Sequence, residues 1–194
     1  MRCVVVYCGS SDRIQPGYLE AARATGRAIA GRGLTLVYGG GRTGMMGAVA
    51  DAALLAGGRV VGIIPERFNN STLAHAGLSE LRVVDSMHTR KAQMAAEADA
   101  FLALPGGFGT LEELLEILTW AQIGLHRRPV GLLNTQGYFD LLLAFFAKAQ
   151  AEGFIYSEHK ELMVSEAEPE RLLARLAAYT PPAGLERWWQ RTDS

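Results

Sequence analysis

Seven short apolar runs recur along the chain, and inside them Val, Ile and Leu do not alternate with polar residues. They read CVVVYC (3–8), LTLVY (34–38), RVVGII (59–64), ELRVVD (80–85), DAFLAL (99–104), PVGLLN (129–134) and LMVS (162–165). A strand with one wet face alternates; a strand apolar throughout is covered on both faces. Between the runs lie segments of helical character over 18–31, 45–57, 87–98, 111–124, 138–153 and 168–179. The piece 66–77 is polar and irregular, a loop or short helix. Strand and helix in regular succession predict an α/β, Rossmann-like fold: a doubly wound, mostly parallel sheet with helices on both faces. The pattern spans 1–179 as a single domain and fades over 180–194, an irregular tail. Trp188 and Trp189 in that tail are expected to pack on the body or on a second subunit.

A chain of 194 residues can bury a real core as one domain. With a net charge of -1 it offers no general attraction for nucleic acid or an acidic membrane. The N-terminal apolar run is too short for a signal peptide, and no later run approaches a membrane span, so a cytoplasmic location is expected. Cys3 and Cys8 share one strand at an odd separation, which points them to opposite faces and forbids a mutual disulfide. They read as small buried residues in a reducing compartment.

In an open parallel sheet, ligands sit beyond the carboxyl ends of the strands. Three of those ends carry small or glycine-rich turns: CGSS (8–11), GGGRTG (39–44) and PGGFGT (105–110). This makes Ser10 and the trio Gly39, Gly40 and Gly41 candidate ligand contacts. GGGRTG satisfies the G-x-G-x-x-G dinucleotide pattern, with Glu66 near the position of a ribose-binding acid. Yet the loop follows the second strand, and Glu66 comes after a proline that ends its strand. A tight turn that lets a helix approach the sheet explains the same glycines, as does a phosphate or ribose contact.

PGGFGT is more specific. Glycine backbones can aim several N–H groups at one point, and a helix starting near Leu111 adds partial positive charge there. The G-K-[ST] ending of a P-loop is missing, so triphosphate chemistry with magnesium is not implied. Glu113 has two readings. Thr110 and Glu113 form a capping box, which would turn the carboxylate onto its own backbone; or Glu113 faces the ligand. A helical wheel sets Leu111, Leu114, Leu115 and Leu118 on one stripe and Glu112, Glu113 and Glu116 opposite.

The segment MHTRKAQMAAEA (87–98) places Lys91 within an apolar stripe of Met87, Met94 and Ala98. A lysine there needs a partner or must reach out to water. Arg90 beside it either pairs with Glu97 or a neighbouring helix, or meets a ligand. His75 and His88 have no spacing that suggests a metal.

PGGFGTLEE, MHTRK and GGGRTGMMG together resemble the LONELY GUY (LOG) family, cytokinin riboside 5′-monophosphate phosphoribohydrolases often mislabelled lysine decarboxylases. The family hallmark PGGxGTxxE spans 105–113, and the likeness covers nearly the whole chain. The resemblance implies a nucleotide-binding domain that hydrolyses the N-glycosidic bond of cytokinin riboside 5′-monophosphates, and of AMP, to free base and ribose 5-phosphate. It implies a homodimer and neither cofactor nor metal. By the same resemblance Arg90 and Glu113 are the catalytic pair, and Lys91, Gly107, Phe108, Gly109, Thr110, Leu111, Glu112 and Thr119 contact substrate. Thr72 departs from the family, standing where many members have a glutamate.

Such chemistry builds positive charge on the sugar. A carboxylate nearby stabilises that charge or orients the attacking water, while an anchored 5′-phosphate positions the sugar. Arg90 would orient Glu113, hold a ribose hydroxyl, or lower the carboxyl pKa. Other readings are a non-catalytic nucleotide-binding protein, an oxidoreductase built on Gly39, Gly41 and Gly44, and a pyridoxal-phosphate decarboxylase that would need Lys91 as its Schiff base.

Overall fold

All seven apolar runs become strands of one sheet: β1 (Cys3–Tyr7), β2 (Thr35–Tyr38), β3 (Val60–Pro65), β4 (Glu80–Val84), β5 (Ala100–Ala103), β6 (Val130–Leu133) and β7 (Met163–Glu166). The computed structural model describes residues 1–185, so the expectation for Trp188 and Trp189 lies outside the described residues. Strand order is β4-β3-β2-β1-β5-β6-β7, and every neighbouring pair is parallel. A parallel neighbour cannot be reached by a hairpin, so each connection must cross a face of the sheet.

Those crossings form the two outer layers. On one face α1 (Pro16–Gly31), α2 (Gly44–Leu55) and α6 (Pro169–Ala177) cover Val4, Val6, Leu36 and Leu102. On the other, α3 (Met87–Glu97), α4 (Phe108–Gln122) and α5 (Asp140–Ala151) lie over Val5, Tyr7, Val37 and Phe101. Cys8 packs in the first layer and Cys3 against the second, and both are free thiols. Burial raises the Cys3 thiol to about 11.

Local chemistry explains several boundaries. Proline opens α1 and α6, where its missing N–H costs nothing. Ser86 caps α3 by accepting the Thr89 N–H at 3.1 Å. α1 and α2 touch at Gly26, where a Cβ would stand 2.3 Å from the Val49 carbonyl oxygen. The segment after β3 is a short 3-10 turn (Glu66–Phe68) followed by irregular chain, as its polarity implies. The helix boundaries shift by a residue or two from expectation, and at the start of α4 by more: it begins at Phe108, ahead of Leu111. Among the described residues no helix is long and apolar enough to cross a membrane.

The winding sets the site. The chain moves outward from β1 to β4, then returns to lay β5 on the other side of β1. At this reversal the loops after β1 and β5 diverge into opposite layers and leave a crevice between them. They stay tied at the root, where the Gly9 N–H donates to the Pro105 carbonyl at 3.0 Å.

Candidate active site

The loops after β1 and β5 approach more closely than side chains would allow. A Cβ on Gly106 would fall 2.8 Å from the Gly9 nitrogen and 2.1 Å from the Thr110 hydroxyl. Above this contact opens a cleft of about 460 Å³. Gly107 is the N-cap of α4 and offers no side-chain cap. The Leu111 N–H bonds the Gly107 carbonyl at 3.1 Å, so the amides of Phe108, Gly109 and Thr110 precede the intrahelical ladder. The positive end of the α4 dipole is at the same place. At Gly107 and Gly109 a Cβ would meet nothing within 4 Å. Packing does not demand glycine there; its effect is to leave the amides uncovered.

The other glycine turn has a different fate. The first donors of α2 are already used: Gly44 N–H by the Asp12 carboxylate at 2.8 Å, and Met45 and Met46 N–H by the Gly9 carbonyl at 3.0 and 3.3 Å. The Gly41 carbonyl accepts the Tyr38 hydroxyl at 3.0 Å, and Arg42 donates to the Ser71 carbonyl at 3.0 Å. Gly40, at φ +76°, sits against Ile64 and Leu81. Glu66 is exposed. A pyrophosphate would find these helix donors spent, which disfavours the dinucleotide reading of GGGRTG; the turn is tight, and Gly39 still borders the cleft.

Glu113 does not cap its helix. With α4 starting at Phe108, Thr110 lies inside the helix and the capping box is not formed. Glu113 Oε1 instead accepts from Arg90 Nη1 at 2.7 Å, and Arg90 Nε donates to the Ile63 carbonyl at 3.1 Å. Glu97, the alternative partner for Arg90, takes Arg82 at 2.6 Å. The helical wheel also needs correction. The buried face of α4 is Thr110, Glu113, Leu114, Ile117 and Ala121, while Leu115 is 42% exposed. A partnered glutamate faces the sheet and a leucine faces out. Gly39 completes the arrangement: a Cβ there would stand 2.0 Å from Arg90 Nη2, so any larger residue would push the guanidinium from its place across the end of β2.

Burial pushes the Glu113 carboxyl above its ordinary range, and the adjacent Arg90 only partly offsets this. Arg90 does act in the lowering direction, by its charge and its hydrogen bond, but burial is the larger effect and the net shift is upward. Tyr7 and Cys8, which also line the cleft, are pushed up by burial first and by Glu113 second. Lys91 bonds Glu112, and Glu116 at 3.0 Å. Burial works against its charge, yet these partners prevail and its pKa is raised. A Schiff base needs a neutral amine, so the pairing disfavours pyridoxal chemistry at Lys91.

The cleft gathers Ser10, Gly39, Arg90, Gly107, Phe108, Gly109, Thr110, Glu112 and Glu113. Gly40, Gly41, Lys91, Leu111 and Thr119 lie outside its lining. Leu111 packs on the core under α4, and Thr119 borders a separate groove between α4 and α5. Thr72 is exposed, its N–H bonded to Asn70 Oδ1 at 3.1 Å. The sequence reading missed Tyr18, Met46 and Tyr138 on the cleft wall. An aromatic or methionine in a helical stretch reads as core, and only the shared carboxyl-end position could have flagged them. No three His, Cys, Asp or Glu side chains gather as a metal site among the described residues; His75 pairs with Asp51 at 3.0 Å.

Fold and cleft define a class: a doubly wound parallel α/β protein whose switch-point crevice joins an open helix N-terminus to a buried glutamate paired with an arginine. Residues 46–176 match the family model described as possible lysine decarboxylase. A probable cytokinin riboside 5′-monophosphate phosphoribohydrolase of Oryza sativa subsp. japonica is 50% identical over 181 residues, 93% of this chain and 74% of the relative. A cytokinin riboside 5′-monophosphate phosphoribohydrolase of Arabidopsis thaliana is 47% identical over 178 residues, covering 92% and 82%. The chain belongs to this family, in its LONELY GUY (LOG) branch. Among solved structures, the molybdenum cofactor binding protein of Rippkaea orientalis superposes with a TM-score of 0.70 at 22% identity, covering 92% of this chain and 97% of that one. The molybdenum cofactor carrier protein of Chlamydomonas reinhardtii gives 0.69 at 23%, covering 92% and 100%. These last two likenesses concern the fold alone.

Proposed function

We propose that the protein is a cytokinin riboside 5′-monophosphate phosphoribohydrolase that also accepts AMP, releasing free base and ribose 5-phosphate. The observation that carries this reading is the shared cleft: amides of α4 with no intrahelical acceptor on its wall, and a buried carboxyl paired with one arginine beside them. The 5′-phosphate binds the open amides of 107–110, where the helix dipole favours an anion. Binding energy at this unreacting group sets the ribose against Glu113. As the glycosidic bond breaks, charge builds on the sugar and the ionised Glu113 stabilises it. Water adds to the anomeric carbon and yields its proton to Glu113, whose raised proton affinity suits that step. The departing base gains a proton in turn. Arg90 orients the carboxylate and keeps enough of it ionised.

Residues 1–179 act as the nucleotide-binding domain, with 180–194 as its tail, in the cytoplasm. The working unit is a homodimer. Support comes from α5, an apolar helix without a single buried residue, whose Leu141 and Phe145 are 87% and 63% exposed. The test is incubation with isopentenyladenosine 5′-monophosphate and with AMP, followed by chromatography of the products. Wild-type protein should release free base, and Glu113→Gln and Arg90→Ala should lose about 10²–10⁴-fold in rate. Tight binding with no base released would overturn the hydrolase reading.

A further inference from the structure

The loop after β6 carries the strained backbone of the described chain. Gln136, at φ +55°, is the one non-glycine residue with positive φ among the described residues. Such a conformation persists only where the surroundings over-determine it, and here they do. The Asn134 side chain donates to Asp140 Oδ1 at 2.7 Å and accepts the Phe139 N–H at 2.7 Å. The Gln136 side chain lies over α1, where a Cβ on Gly17 would stand 2.3 Å from its Nε2. Phe139 is buried. These constraints converge on the residue between them. Tyr138 leans edge-on against Tyr18 at 5.6 Å, lines the cleft, and donates its hydroxyl to the Gly106 carbonyl at 2.7 Å.

That carbonyl belongs to the peptide plane whose other end is the Gly107 N–H. In a trans peptide the two groups point in opposite directions, so holding one sets the other. Glycines on both sides leave this plane free to rotate without such a hold. We propose that Tyr138 is a positioning residue for the anion-binding turn. Its hydroxyl locks the Gly106–Gly107 plane and so keeps the amides of 107–110 aimed at the 5′-phosphate of a nucleotide. The inference rests on the phosphate placement given above. It makes the β6 loop part of the phosphate site even though its own side chains need not touch the phosphate.

Tyr138→Phe keeps the ring and removes only the hydroxyl. The variant should raise KM for a nucleoside 5′-monophosphate about tenfold, the scale of one hydrogen bond, with kcat within about twofold. Base release from the same nucleoside without its phosphate should not change. An unchanged KM, or equal losses with and without the phosphate, would overturn the proposal, since a general packing defect would act on both substrates. Calorimetric titration with ribose 5-phosphate separates this inference from the hydrolase reading. If wild-type protein releases no base but binds ribose 5-phosphate more tightly than Tyr138→Phe does, the hydrolase reading fails and the positioning role stands. Binding no tighter than the variant's sinks the positioning role whatever the turnover.

Discussion

Glu113 is 7% exposed, and its stability depends on one cation. Removing that cation strands a buried charge, which typically costs about 3–5 kcal/mol. Arg90→Ala is therefore expected to lower unfolding free energy in urea by about that much, well beyond a surface substitution. The pair as a whole is not a large net source of stability, because desolvation offsets attraction. Arg90→Met with Glu113→Leu should recover most of the loss while remaining inactive, a split that denaturant titration and a base-release assay together would show. The sign of the pH effect follows from burial. A carboxyl raised in the folded state contributes stability below its unfolded pKa and loses it as pH rises through the folded value. The role proposed for Glu113 requires the ionised form, so kcat/KM should fall on the acid side with a midpoint above the ordinary glutamate value of 4.5. Arg90→Gln, lacking the opposing charge, should move that midpoint further up. A limb at or below 4.5, or one unmoved in Arg90→Gln, would contradict this account.

Two glycine-rich turns look alike in the chain, and the helices behind them differ in one respect. α2 begins with its donors satisfied by Asp12 and Gly9; α4 begins with a glycine cap and no side-chain acceptor. The first helix is built for stability and the second is left able to bind. Asp12→Ala should thus cost about 1 kcal/mol, the usual scale of a lost N-terminal cap, read by urea titration. KM for the monophosphate should stay unchanged, because Asp12 serves α2 and does not line the cleft. A matching rise in KM would mean that the two helix starts are coupled. The same contrast explains why capping-box logic failed at Thr110. That motif needs threonine at the N-cap, and Gly107 holds the position.

At the scale of the molecule, the sheet is closed on both faces by helices, yet α5 remains unburied with large apolar side chains outward. The homodimer expected here predicts that wild-type protein sediments at twice the chain mass. Leu141→Asp with Phe145→Asp should yield a folded monomer; a monomeric wild type would end that reading. The strands were legible in the residues because a continuous apolar run has only one comfortable place, inside a sheet covered twice. Their parallel winding followed from the helices between them, and with it the end of the sheet where ligands collect. The PGGFGT turn and the Arg90–Lys91 pair could be singled out for the same local reason. What local pattern left open was partnership. Arg90 could have met Glu97 nearby, and Glu113 its own helix start; the return of β5 beside β1 joined them from positions 23 residues apart instead. Tyr138 reached Gly106 by the same route, from the loop after β6 on the far side of β5. Periodicity is a short-range property and dictates which faces are buried. Hydrogen-bond and charge partners are a long-range property, decided only when the winding brings distant segments to one crevice and burial makes an unpaired group too costly to leave.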